Sequence, residues 1–437
     1  MLLPALVSVP SVAQSVALVG ATVYPVSGPV IPDGVVVVQD GKITAVGPRS
    51  SVALPDGVEV RDLTGKTVIP GLVDTHSHIG AGGPGDLNES IGPLQPAVSA
   101  IDAIDATNPN LDVARAGGIT TVNIMPGSRN LVGGQTAYVK LRDATTVDGL
   151  LFCADRRTEV CGGLKMANGT NPQGDSPYPR TRMGAAAQVR QLFADAAERR
   201  RKLDAAAAPR TGTHRKAALP EPLPPDLGKD ALVQVLRGER IVHLHTHRAD
   251  DIATAVALGE EFGFSPVLHH VSEGWKVADL LAEHHVPCSV IVIDSPGGKE
   301  EATEMRLETP GILERAGVVV AIHTDDPITD SRLLLRSAAL AVRGGMTEAG
   351  ALAAVTLNGA KLLRLDDRVG SLDPGKDGDL VVLSGPPLSV WTHVEQTWVE
   401  GVEVFDRSDP VDRRYATGGW DQAARYPVNA ADADGDR

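Results

Sequence analysis

A chain of 437 residues with 55 acidic and 41 basic side chains carries a formal charge of −14, which argues against nucleic acid or an anionic membrane as its partner. Hydrophobic residues make up 42% and aromatics only 3%, so a soluble globular fold with a sizeable core has to be built from Val, Leu, Ile and Ala. Cys153, Cys161 and Cys288 form no zinc-finger spacing and no disulfide framework. Independent buried thiols are expected, with a Cys153–Cys161 bridge as the alternative in an oxidising compartment.

Residues 1–13 are apolar and end in Ser11-Val12-Ala13, like the latter part of a secretory signal peptide that lacks a basic start. They are too few to span a bilayer as a helix. Residues 1–14 are therefore read as a possible signal peptide and the mature protein as periplasmic or secreted. A plain extension on a cytoplasmic protein is the alternative. Residues 15–69 read as β structure: Val35–Val38 and Ile43–Val46 flank Asp40-Gly41, a favoured hairpin turn, and a second hairpin is expected around Thr64-Gly65-Lys66.

The stretch Val68-Ile69-Pro70-Gly71-Leu72-Val73-Asp74-Thr75-His76-Ser77-His78 is an apolar run, broken by Pro-Gly, leading into a strand that ends in two histidines. Period-two alternation puts Asp74, His76 and His78 on one face, where two imidazoles can share a divalent ion. From residue 70 to 369, short apolar strands alternate with helical stretches, the pattern of parallel βαβ units. Strands are expected over 118–125, 162–167, 240–245, 265–269, 288–292 and 318–323. A helix is expected over 183–208, with Val189, Leu192, Phe193 and Ala196 at helical spacing, followed by a Pro-rich excursion over 209–228. Strand texture returns at 379–383, and a hairpin turns at Glu400-Gly401. Residues 409–437 read as a disordered polar tail.

The polar residues at strand ends carry the chemistry. His243, His245 and His247 share a face, with His243 deepest and expected in the core. His269 and His270 are adjacent, so one of them should enter the interior and the other face away. His323 and Asp325 share a face, while Asp326 points away and is suited to cap the helix signalled by Pro327. Lys165 lies in an apolar strand, where an amine is costly unless neutralised or paired; snorkelling outward is the other reading. Neither a phosphate-binding Gly-rich loop nor a Gly-x-Ser-x-Gly elbow is present, which argues against serine chemistry and points to metal-activated water.

Val68 to His78 resembles the first-strand signature of the amidohydrolase superfamily, and the likeness runs from about residue 16 to about residue 405. It is nearest the branch holding imidazolonepropionase and prolidase-like enzymes. The resemblance implies an α/β fold: a (β/α)8 TIM barrel over 70–369, with a small β-sandwich assembled from 15–69 and 370–408. Gly370 to Leu380 is similar to the re-entry into that sandwich. It also implies one or two zinc ions held by His76, His78, Lys165, His245, His270 and Asp325. Lys165 would be carboxylated and bridging, and Asp325 would be both ligand and catalytic proton carrier. His247 is the alternative to His245 as the fifth-strand ligand, and His270-Val271-Ser272-Glu273-Gly274 selects His270 on the sixth. Gly133-Gly134-Gln135 and Thr181-Arg182-Met183-Gly184 resemble loop elements around substrate.

The expected reaction is hydrolysis of an amide-type C–N bond in a small molecule, an N-acyl amino acid or Xaa-Pro-type dipeptide, by a homo-oligomer. The alternatives are a single-metal cyclic amidase like imidazolonepropionase and a catalytically dead scaffold. Deaminase relatives carry a glutamate just beyond the fifth-strand histidine; His245-Thr246-His247-Arg248 does not.

Overall fold

The computed structural model describes residues 15–81, 86–208, 223–294 and 299–418. The expected signal peptide, most of the Pro-rich excursion and the end of the polar tail lie outside them. Strands β1 (Val16–Val23), β2 (Ile31–Gln39) and β3 (Lys42–Pro48) form an antiparallel meander. Asp40 and Gly41 turn it with φ of 50° and 77°, the left-handed pair that a two-residue hairpin needs. The second expected hairpin is absent. β4 (Glu59–Asp62) and β5 (Thr67–Pro70) both run parallel to β1, along its first and second halves. A register shift around Gly20 bends β1 between those halves, so the turn at Gly65 carries the chain onward without reversing it.

In the middle of the chain β6 (Leu72–Ser77) pairs in parallel with β7 (Ile119–Ile124). β8 (Val132–Gln135) and β9 (Ala137–Lys140) follow, β9 antiparallel to β7. β10 (Leu164–Ala167), β11 (Val242–Thr246), β12 (Pro266–His270), β13 (Cys288–Val290) and β14 (Val320–Ile322) are consecutive parallel neighbours, with β8 antiparallel on the edge of β10. All five are buried along their whole length, as strands covered on both faces must be. The expected closed eight-stranded barrel is not present as one ladder among the described residues. On one side the chain passes from β8 to β9 through a single residue, Thr136, leaving the six-stranded ladder for the three-stranded one. On the other, β14 and β6 meet just past their ends, where the Asp325 amide donates to the His76 carbonyl (2.9 Å) and the His78 amide to the Asp326 carbonyl (3.2 Å).

β15 (Leu380–Leu383) pairs antiparallel with β5 and continues into the β16 (Val394–Val399) and β17 (Val402–Asp406) hairpin, turned at Glu400-Gly401. The strands of the expected sandwich, from both ends of the chain, belong to one continuous eight-stranded sheet. It closes a shared core in which Val16, Leu18, Val36, Val68, Leu380 and Trp398 pack together. Buried Lys140 at the end of β9 ties the strands to this sheet. Its ammonium meets Asp377, Asp379 (3.0 Å) and Glu400 (3.3 Å), and Arg142 and Arg368 brace the same carboxylates. Breaking such a buried cluster by removing one member typically costs about 3–5 kcal/mol.

Two helices correct the sequence reading. Leu227–Leu236 starts inside the expected excursion, capped by the Asp226 carboxylate accepting from the Lys229 amide. Pro410–Thr417 stands in the expected disordered tail, because Asp409 caps it, Pro410 opens it and the Arg332 guanidinium donates to the Tyr415 carbonyl. The long helix Arg182–Ala207 is as expected, with Val189, Phe193 and Ala196 buried. No helix among the described residues is long and apolar enough to cross a membrane.

Cys153 and Cys161, expected as separate thiols, form a disulfide with Cα atoms 5.2 Å apart. The loop between them folds back on the Asp155 carbonyl, which accepts from the Thr158 and Glu159 amides and so returns the second cysteine to the first. Of the three cysteines this leaves Cys288 as the free thiol. Thiol titration of the unfolded chain should therefore find one thiol before reduction and three after; three before reduction would contradict the bridge.

Candidate metal centre

Parallel strands end at one level, so β10 to β14 bring their last side chains together, and the Asp325–His76 amide bond adds the end of β6. Asp325 Oδ1 lies 3.2 Å from His76 Nε2 and 3.1 Å from His78 Nε2. His78 Nδ1 is 2.8 Å from the Met125 carbonyl. A carbonyl can only accept, so Nδ1 carries a proton, and when the ring is neutral Nε2 presents a lone pair to the carboxylate oxygen. In that neutral form two acceptors face each other at a distance that calls for a cation between them. Donors about 2.1 Å from a tetrahedral zinc ion stand roughly 3.4 Å apart, so the spacing fits. The ligand atoms of His76, His78 and Asp325 all lie within 4.8 Å of one another, as do those of His245, His247 and His270, and those of His76, His270 and His323.

Charge state agrees with that reading. Burial holds His76, His245, His247 and His270 well below the usual imidazole value, with Lys165 adding to the effect at His76 and Lys299 at His245 and His247. Neutral rings are the ligand form. Burial also pushes Lys165 down to about 7. Its Nζ touches His76 Nε2 (3.2 Å) and Met125 Sδ (3.3 Å). Burial alone would raise Asp325, but His78, His323 and Lys165 together hold it below the usual carboxylate value, so it is ionised at neutral pH. His76 Nδ1 and His270 Nε2 are buried without a hydrogen-bond partner, as is an oxygen of Glu301. Unpaired buried atoms of this kind are costly, and an ion would satisfy those that face it.

All six ligands expected from the sequence converge here. Two readings change. Adjacent His269 and His270 were expected to face opposite ways, yet both ring centroids lie within 5 Å of the His76 ring, at 4.9 and 4.8 Å. His270 has φ of 70° and Val271 of 49°, which breaks the strand's alternation. The choice between His245 and His247 also dissolves, because both rings enter the cluster. Asp325 is likewise left-handed, with φ of 52°. Left-handed backbone at non-glycine residues costs of order 1–3 kcal/mol and concentrates at functional sites. Asp326 turns away as expected and accepts from the amide and hydroxyl of Ser331, at 2.8 and 2.6 Å. Asp74 serves the strands rather than the ions: Thr324 donates to it from Oγ1 at 2.5 Å.

Beneath the cluster, His243 is in the core as expected, between Tyr138 OH (2.8 Å) and His269 Nε2 (2.9 Å). Thr75, Ser289 and His323 form a second chain, with Ser289 Oγ 2.8 Å from His323 Nδ1 and His323 Nε2 3.2 Å from His270 Nδ1. Sequence reasoning missed Ser128, 3.0 Å from His245 Nδ1, and Ser272, 2.7 Å from His247 Nδ1. It missed Lys299 and Glu301 as well. Lys299 and Glu301 stand two residues apart in a segment well beyond the end of β13, which is no signal of a site by itself. Gly133-Gly134-Gln135 lies in β8 instead of a loop, and Gly133 lines a small cavity of about 60 Å³ beside His78 with Leu87, Ile104 and Met125. Of the Thr181–Gly184 segment, Thr181 caps the long helix and Arg182 pairs with Asp251 (2.9 Å). A larger cavity of about 430 Å³ lies away from the histidines. Arg240 on its wall is engaged by Gln234 and the Gly162 and Gly163 carbonyls, and none of the ligating clusters reaches it.

The Amidohydrolase family profile matches residues 67–404. The chain belongs to the amidohydrolase family. It is 36% identical to a solved amidohydrolase from Thermotoga maritima MSB8, with a TM-score of 0.79 over 90% of this chain and 100% of that one. It is 29% identical to an imidazolonepropionase of a Bradyrhizobium strain, over 81% of this chain and 87% of the relative. It is also 29% identical to the amidohydrolase tasK of Hapsidospora irregularis, over 86% of this chain, and spans 40% of that longer protein. This amidohydrolase is a hydrolase of carbon–nitrogen bonds.

Proposed function

We propose that this amidohydrolase cleaves an amide or peptide-like bond in a small molecule, an N-acyl amino acid or Xaa-Pro-type dipeptide, using one or two zinc ions. The observation that carries the reading is the pair of histidine nitrogens, His76 Nε2 and His78 Nε2, aimed at one oxygen of ionised Asp325. We read the two strand ladders as arcs of a (β/α)8-type barrel, supported by the two hydrogen bonds that join β6 to the end of β14. His76, His78 and Asp325 would hold one ion; His245 and His270 would hold a second, with Lys165 between them. When bound, the ions supply a Lewis acid for the substrate carbonyl and acidify the attacking water. Met125 fixes the ring of His78, and Ser128 and Ser272 fix those of His245 and His247. Asp325 accepts the proton of the attacking water and delivers it to the leaving nitrogen. The cavity beside His78 supports a small apolar substituent on the substrate.

A second reading, a single-ion hydrolase of a cyclic amide, draws on the likeness to imidazolonepropionase. Lys165 separates the two. A buried amine near neutrality is suited to carboxylation by CO2, which would give a bridge with two oxygens. Elemental analysis of zinc-replete protein should then give about two ions per chain, and fewer in Lys165→Ala with most activity lost. A count near one in both proteins would remove Lys165 from the scheme.

Asp325→Asn should fold normally and lose at least ~100-fold in turnover, because an amide cannot carry the proton. Asp326→Asn should cost stability through its Ser331 contacts and far less turnover. Near-native turnover of fully metallated Asp325→Asn would contradict the assigned role.

A further inference from the structure

The second histidine group has an occupant of its own. Lys299 Nζ stands 2.9 Å from His247 Nε2, 3.4 Å from His245 Nε2 and 3.6 Å from Glu301 Oε1. An ammonium can only donate, so both imidazoles present lone pairs to it, and each ring has its Nδ1 against a serine hydroxyl. Glu301 is buried, with its side chain 1% exposed. One of its oxygens accepts from the Thr170 amide at 2.8 Å, while Oε1 has no hydrogen-bond partner and lies 3.9 Å from His245 Nε2. Three donors that suit a divalent cation thus surround a cation belonging to the chain.

We propose that Lys299 is a tethered competitor for a divalent ion at the position framed by His245, His247 and His270, beside Glu301. Its ammonium holds the three donors when that ion is absent and has to leave before the ion can bind. The inference rests on reading the histidine cluster as a metal centre, and it adds His247 to the ligands of the second position. Two like charges at such short range exclude each other, so side chain and ion occupy the position alternately. At the first position the amine against His76 Nε2 is that of Lys165, at 3.2 Å, so a change at Lys299 reports on the second position alone.

Calorimetric titration of zinc into metal-free protein tests this. The whole chain should show one tight and one weaker ion. Lys299→Met should bind the second ion roughly tenfold or more tightly and leave the first unchanged. Adding His247→Ala to Lys299→Met should abolish the gain. Lys299→Arg, which keeps the charge, should retain the weak second site, and Lys299→Ala serves if the methionine variant does not fold. A second-ion affinity that stays within about twofold in Lys299→Met, or weakens, overturns the inference while leaving the hydrolase reading intact. So would a Lys299→Met variant altered only in its KM for a substrate carrying a carboxylate, which would make the lysine an anion contact. Failure of the whole chain to bind any zinc would overturn both.

Discussion

The site depends on the hydrogen bond from the Asp325 amide to the His76 carbonyl, together with its partner from the His78 amide to the Asp326 carbonyl. β6 and β14 share no ladder, so these bonds hold the first histidine pair against the Asp325 carboxylate. The left-handed backbone of Asp325 is what turns its side chain to the histidines while its amide reaches β6. Asp74 reinforces the same junction from inside, since the Thr324 hydroxyl donates to it. Burial pushes the Asp74 carboxyl up to about 7, the signature of an acid kept where charge is unwelcome. Metal ligands and strand closure are thus one problem here. A shift of either strand end by one residue would turn the ligands outward.

A second polar cluster does the corresponding work at the opposite region of the chain. Lys140 leaves β9 to meet Asp377, Asp379 and Glu400, which come from the segment re-entering the N-terminal sheet. Its charges are neutralised within the cluster, whereas His76 Nδ1, His270 Nε2 and the Glu301 oxygen beside His245 have no hydrogen-bond partner. The contrast separates structural from chemical burial. Where ionisable groups are buried and paired, they join parts of the fold; where they are buried with lone pairs unmatched, they are arranged for something added from outside.

Much of this was legible in residue order. Alternation along Val68 to His78 placed two histidines on one face, strand ends offered Lys165, His245 or His247, His269 or His270, and Asp325, the family resemblance chose among them, and Asp40-Gly41 announced its hairpin. The misreadings have physical causes. Period-two logic forbade His269 and His270 from sharing an interior, and a positive φ at His270 allowed it. Thr64-Gly65 reads as a hairpin turn in any local window, yet the pairing of β4 and β5 is decided by β1, forty residues earlier in the chain for part of its contacts. The disulfide depends on a loop folding back on Asp155, and Glu301 reaches the histidines only because the Thr170 amide holds it there. Long-range partners leave no local pattern.

The central claim is that His76, His78 and Asp325 hold a divalent ion, and anomalous diffraction at the zinc edge from crystals of zinc-loaded protein tests it most directly. A peak within coordination distance of His76 Nε2, His78 Nε2 and an Asp325 oxygen, about 2.0–2.2 Å from each, is the predicted result. Zinc bound elsewhere on the chain, with no peak between these three side chains, would contradict the account.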